Sequence, residues 1–142
     1  MNLPQALADG QWFTSAGDGK TAHISHADCA AALAAALASD DTASQTYTLT
    51  GPQALTNSEI ATIASEALGK PLQVINLTDE QLADGMKSAG VPDYMIPFLI
   101  GFEANTRDGG VDLVTGDVKK LTGQAPSPIR AFFEANKNAL LS

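Results

Sequence analysis

The residues best equipped for chemistry stand together in His23-Ile24-Ser25-His26-Ala27-Asp28-Cys29, which puts two imidazoles, a carboxylate and a thiol within seven positions. Groups of these types can hold a divalent cation that activates water. An imidazole alone can act as a general base near neutral pH. His23, His26 and Asp28 are therefore the candidate catalytic residues, and Cys29 joins them in the candidate metal set. Their spacing weakens the metal reading. Ser25-His26-Ala27-Asp28 reads as a helix start, with Ser25 as N-cap and Asp28 at the third helical position. His23 then stands at the end of an extended segment, while Asp28 and Cys29 occupy the first helical turn and point in different directions. The recognised zinc spacings are absent, so no bound metal is expected. The plainer reading leaves both histidines exposed, Asp28 supporting the helix start and Cys29 packed inward.

Other chemical motifs fail on inspection. Gly19-Lys20-Thr21 matches the end of a phosphate-binding loop, but the position five before Gly19 is Thr14 and not glycine. A tight glycine turn accounts for it. No Gly-x-Gly-x-x-Gly stretch exists to seat a dinucleotide pyrophosphate on a helix N-terminus. No tyrosine is followed four later by lysine, since Tyr47 meets Gly51 and Tyr94 meets Phe98. Gly-x-Ser-x-Gly is missing too, so a hydrolase nucleophile elbow has no support.

Aromatic side chains offer a second kind of site. Trp12 and Phe13 follow Asp9-Gly10, and Tyr94, Phe98 and Phe102 recur four apart. That period makes one helical stripe, which is most simply core and otherwise the wall of a ligand pocket or a partner surface. Phe132 and Phe133 are adjacent, so only one can point fully inward.

The elements that must position these residues are mostly helical. Ser25 opens a thin, alanine-rich helix to about Ala38, with Cys29, Leu33 and Leu37 on one face. Thr56-Asn57-Ser58-Glu59 is a full capping box, followed by Ile60, Ile63, Ala64, Ala67 and Leu68 as a buried stripe and stopped by Gly69 and Pro71. Thr78-Asp79-Glu80-Gln81 opens a third helix ending near Gly90. A fourth runs from Asp93 to about Asn105, with Pro97 expected to kink or split it. A short helix at 117–122 and one from Pro128 to Leu141 follow. Thr46–Thr50 and Leu72–Leu77 read as strands, with Thr21–Ile24 and Val111–Val114 as weaker ones. The fold class is therefore α+β, mostly helical with three or four short strands, and an unpaired strand edge is expected.

At 142 residues the chain has one domain's length, 1–142. Sixteen acidic against eight basic residues give a formal charge of −8, which disfavours nucleic acid and anionic membrane surfaces as partners. No apolar run approaches a membrane span. Met1-Asn2-Leu3-Pro4 lacks the basic and apolar stretches of a signal peptide. The one cysteine, Cys29, excludes an internal disulfide framework, so a cytoplasmic location is expected.

The order of the pieces carries a resemblance. Ala16-Gly17-Asp18-Gly19-Lys20, then Ile24-Ser25-His26-Ala27-Asp28-Cys29-Ala30, then Thr46–Gly51, Leu55–Ala61, Gly85 to Gly90-Val91-Pro92 and Thr115–Pro126 resemble the second half of an NmrA-like protein. These are atypical short-chain dehydrogenases, and the most similar subgroup is the NAD(P)H:quinone oxidoreductase type 2 proteins. Where His26 stands, such proteins usually carry a basic residue. Their glycine-rich nucleotide loop precedes the matched region. The resemblance thus implies an oxidoreductase relative that does not bind NAD(P)H by itself, although the full-length family does. It implies that Trp12, Phe13, Tyr94, Phe98 and Phe102 face a small aromatic or quinone-like ligand. It also implies a homo-oligomer, with burial centred on Thr46–Thr50 or on the Tyr94–Phe102 helix. A small stand-alone hydrolase using His23, His26 and Asp28, and a non-catalytic binding or dimerisation module, are the alternatives.

Overall fold

The computed structural model describes residues 3–40 and 43–142. Met1 and Asn2, on which the reading of the N-terminus rests, lie outside the described residues. Eight helices and four short strands are described, in the order α1 (Leu3–Asp9), β1 (Gln11–Thr14), β2 (Lys20–Thr21), α2 (His26–Leu37), β3 (Leu55–Thr56), α3 (Asn57–Leu68), β4 (Gln73–Asn76), α4 (Asp79–Ser88), α5 (Ile96–Arg107), α6 (Asp117–Thr122), α7 (Ile129–Ala135) and α8 (Lys137–Leu141). The mostly helical α+β class holds.

β1 and β4 pair in parallel, from Gln11 opposite Gln73 to Thr14 opposite Asn76. β2 and β3 form a separate antiparallel pair. Along β1 the side chains alternate, with Trp12 and Thr14 buried and Gln11 and Phe13 exposed. One face of the β1–β4 pair therefore meets the core, and the other carries a half-exposed Phe13. The core gathers Leu7 of α1, Trp12 of β1, Ile60, Ala64 and Leu68 of α3, Leu72, and Phe133 of α7. The α3 stripe is the expected one. Thr56 caps it with a reciprocal Glu59 box, and Gly69 ends it at φ +74°. Thr78 and Gln81 make the matching box on α4.

Several expectations are corrected. Thr46–Thr50 is no strand: side chains take both backbone groups of Thr48, and the Thr50 side chain binds Thr115 instead of pairing in a ladder. Thr48 N donates to Asp117 Oδ2 at 2.8 Å, Thr115 N donates to Thr50 Oγ1 at 2.9 Å, and Thr115 Oγ1 donates to Thr48 O. Val111–Val114 forms none either, and Thr21–Ile24 shrinks to the bridge of Lys20 and Thr21. Pro97 neither kinks nor splits α5, because it stands in the first turn, where its missing N–H costs nothing. The last helix divides at Asn136, whose side chain donates to Phe132 O at 2.8 Å. Leu33 and Leu37 of α2 are exposed, and Ala32 is the buried residue of that helix. Among the described residues no helix is long and apolar enough to cross a membrane.

Candidate functional site

The start of α2 and the entry to α7 are clasped through Asp28. Ser25 Oγ accepts from Asp28 N at 3.0 Å and donates to Asp28 Oδ2 at 2.7 Å, and Ser127 N donates to the same carboxylate at 2.9 Å. Desolvation raises the Asp28 pKa, but the bonds from Ser127 and Ser25 outweigh it and hold the carboxyl below its ordinary value. Asp28 is thus spent on structure. Beside this clasp opens a cleft of about 680 Å³, lined by the 23–27 segment, by Leu3 and by one side of α7. His23 and His26 both line it. Both histidines are exposed, as the plainer reading expected, yet desolvation at the cleft wall pushes the His23 pKa below the ordinary imidazole value.

The backbone of His23 is fixed from behind. Gly51 N donates to Ala22 O at 3.1 Å, and a Cβ at Gly51 would come within 1.9 Å of His23 O. Only glycine permits that approach. Of the reactive cluster, then, the two histidines share one cleft, while Asp28 turns to Ser25 and Ser127. Among the described residues no group of three or more His, Cys, Asp and Glu is placed to hold a metal ion. Cys29 is a half-buried free thiol.

The aromatic candidates do not converge on that cleft. Trp12 is only 8 % exposed and belongs to the core. Phe13 lies on the opposite face of the sheet pair. Tyr94, Phe98 and Phe102 are 82 %, 66 % and 56 % exposed, which overturns the reading of that stripe as core. Phe98 and Phe102 meet edge to face at 4.7 Å on the outer side of α5. The adjacent phenylalanines divide as expected, with Phe133 buried and Phe132 half-exposed at the cleft.

A polar network at the carboxyl end of β1 was not singled out from the sequence. Thr14 is fully buried, and its hydroxyl accepts from Asn57 Nδ2 at 2.9 Å and from Ala16 N at 3.1 Å while donating to Glu103 Oε2. Ser15 N donates to the same Glu103 oxygen at 3.0 Å. One turn on, Arg107 donates to Ser15 O at 2.7 Å and forks onto Asp79 at 2.9 and 3.1 Å. Arg107 holds the Asp79 carboxyl below its ordinary pKa. Glu103 and Arg107, four apart on α5, were the available signal, and they bolt that helix onto the strand end.

The N-termini of α3 and α4 are closed by their own capping boxes, and their first turns carry Glu59, Asp79 and Glu80. That of α2 is filled by Ser25 and Asp28. At these three helix ends a pyrophosphate would meet satisfied N–H groups and carboxylates.

The chain belongs to the NmrA-like family of Rossmann-type proteins and matches the C-terminal part of its members. It is 32 % identical over 134 residues to an NAD(P)H azoreductase of Xenophilus azovorans, a match covering 94 % of this chain and 46 % of that protein. It is 32 % identical over 122 residues to quinone oxidoreductase 2 of Escherichia coli, covering 86 % of this chain and 43 % of that one. The crystal structure of the Escherichia coli NADPH-dependent quinone oxidoreductase complexed with NADPH superposes with a TM-score of 0.85 at 28 % identity, over 99 % of this chain and 48 % of that chain. No protein-family model matches the sequence. The chain spans about half the length of the curated relatives it matches.

Proposed function

We propose that this chain is the substrate-side part of an NAD(P)H-dependent reductase of quinones or other conjugated aromatic acceptors, and that it does not hold the dinucleotide by itself. The observation that carries this reading is 32 % identity, over most of the chain, to both an azoreductase and a quinone oxidoreductase. The self-capped helix N-termini and the charge of −8 support the second clause, since a polyanionic cofactor gains no donors here. Neither a hydrolase nor a non-catalytic module finds comparable support. Phe13, Tyr94, Phe98 and Phe102 remain as exposed aromatic surface for a partner or an acceptor. That surface and the bare side of β1 favour a homo-oligomer, which light scattering at high micromolar concentration reads directly. A cytoplasmic location follows from the same reading, where a lone thiol stays reduced.

The test mixes two chains. Calorimetry of this chain with NADPH gives no saturable micromolar binding, and the chain alone does not reduce menadione with NADPH. Adding the dinucleotide-binding half of the Escherichia coli quinone oxidoreductase, separately shown to be folded, produces menadione reduction. NADPH binding by the isolated chain, or no reduction by the folded mixture, overturns the proposal.

A further inference from the structure

We propose that the cleft between the 23–27 segment and α7 binds a neutral, flat aromatic ketone or quinone, with the His23 imidazole donating to its carbonyl oxygen and the Phe132 ring lying against its face. The ligand class rests on the function proposed above; the place and the partners rest on the cleft itself. Its volume of about 680 Å³ suits one small organic molecule. Fourteen residues line it, and none is Asp, Glu, Lys or Arg, in a chain that carries twenty-four of them. Among the described lining residues an anion finds no basic side chain of Lys or Arg and a cation no carboxylate, and the nearby Asp28 is already bonded to Ser25 and Ser127. Ile24, Ile129, Phe132 and Phe133 supply apolar wall. Within that wall His23 brings an N–H donor, and its lowered pKa keeps the ring neutral, with a donor nitrogen and an acceptor nitrogen at pH 7.

Both sides of the cleft are held before any ligand arrives. The Asp28–Ser127 bond fixes the mouth, and Gly51 fixes the backbone behind His23. Phe132 is 41 % exposed yet rests edge-on against Phe133 at 5.8 Å, and Phe133 is anchored in the core at 1 % exposure. An aromatic ring fixed in this way, half open to solvent, offers a stacking surface at little entropic cost. The outer face of α5 has aromatic rings too, but they stand on a convex helix surface.

The experiment titrates the full chain with tetramethyl-1,4-benzoquinone, whose substituted ring resists addition of the Cys29 thiol, and follows backbone amide shifts. Saturable shifts are expected at 24–27 and 127–136. His23→Ala weakens binding about three- to tenfold, the worth of one hydrogen bond, whereas His23→Gln, which retains a donor, recovers part of it. Ala131→Trp, which fills the cleft, abolishes binding, and Phe132→Leu weakens it should the tryptophan variant fail to fold. Leu113→Ala, exposed and outside the cleft, leaves it unchanged. Shifts confined to α5, no saturable binding, or full binding in both His23→Ala and Phe132→Leu overturns the proposal. NADPH takes no part, so quinone binding without reduction by the two-chain mixture would fault the proposed function alone, and reduction without shifts in the cleft would fault this site alone.

Discussion

Replacing Thr14 by valine removes one hydroxyl from a fully buried position and almost nothing else. Two donors, Asn57 Nδ2 and the Ala16 N–H, lose their acceptor at 2.9 and 3.1 Å. Glu103 loses one donor but keeps Ser15 N at 3.0 Å. Leaving a buried donor unsatisfied costs about 1–3 kcal/mol, so the two together amount to about 3 kcal/mol. That is a large share of the roughly 5–15 kcal/mol a domain has in total. At about 2–4 °C per kcal/mol for a chain of this size, Tm falls by about 6–12 °C. Urea unfolding of wild type and Thr14→Val, with an unchanged m-value, measures it. In an Asn57→Ala background one of the two donors is already gone, so the same substitution costs about 1–2 kcal/mol less. A cost below about 0.5 kcal/mol for Thr14→Val in the wild-type background would refute the network as a source of stability.

Other outcomes follow from single contacts. Phe133→Ala empties a buried site and lowers stability by about 3–5 kcal/mol in urea melts, whereas Phe132→Ala, half-exposed, lowers it by less than half as much. Gly51→Ala drives a methyl into the His23 carbonyl, so the amide shifts of 22–25 move and the urea midpoint drops. Thr56→Ala breaks the capping box on α3 at a cost of about 1 kcal/mol, read the same way. The folded-state pKa of His23 lies below its unfolded value, so unfolding takes up a proton as pH falls. Stability is therefore full above about pH 7 and declines as pH drops through the depressed pKa. His23→Gln flattens that decline; a slope unchanged in the variant would contradict the assignment.

What the sequence made legible was local. Ser25, Thr56 and Thr78 each declare a helix start through a contact three residues away, and all three caps form as read. The strands were harder, because pairing depends on partners far along the chain. Thr46–Thr50 has strand composition but finds Asp117 and Thr115 instead of a ladder. Gln11–Thr14, which is a strand, offered only two aromatics after a glycine. Periodicity placed Tyr94, Phe98 and Phe102 on one face of a helix, but it holds no information about what that face meets. The His23 and His26 pair was visible as a cluster, whereas the wall opposite comes from residues about a hundred positions later, which no local pattern links to it.

The parallel pairing of β1 with β4 also sets a timetable. Gln11 meets Gln73, sixty-two positions further on. During synthesis at about 5–20 residues per second, β1 waits some 3–12 s after its own emergence before its partner strand exists. The α3 helix, nucleated by its own capping box, can form within microseconds of leaving the ribosome, when Leu3, Ala6, Leu7 and Trp12 are the described core residues already made to cover its stripe. Phe133, the last large side chain of that core, arrives sixty positions later still. A nascent chain of this protein thus carries an open apolar face for seconds, which is the interval in which a chaperone or a neighbouring nascent chain would meet it.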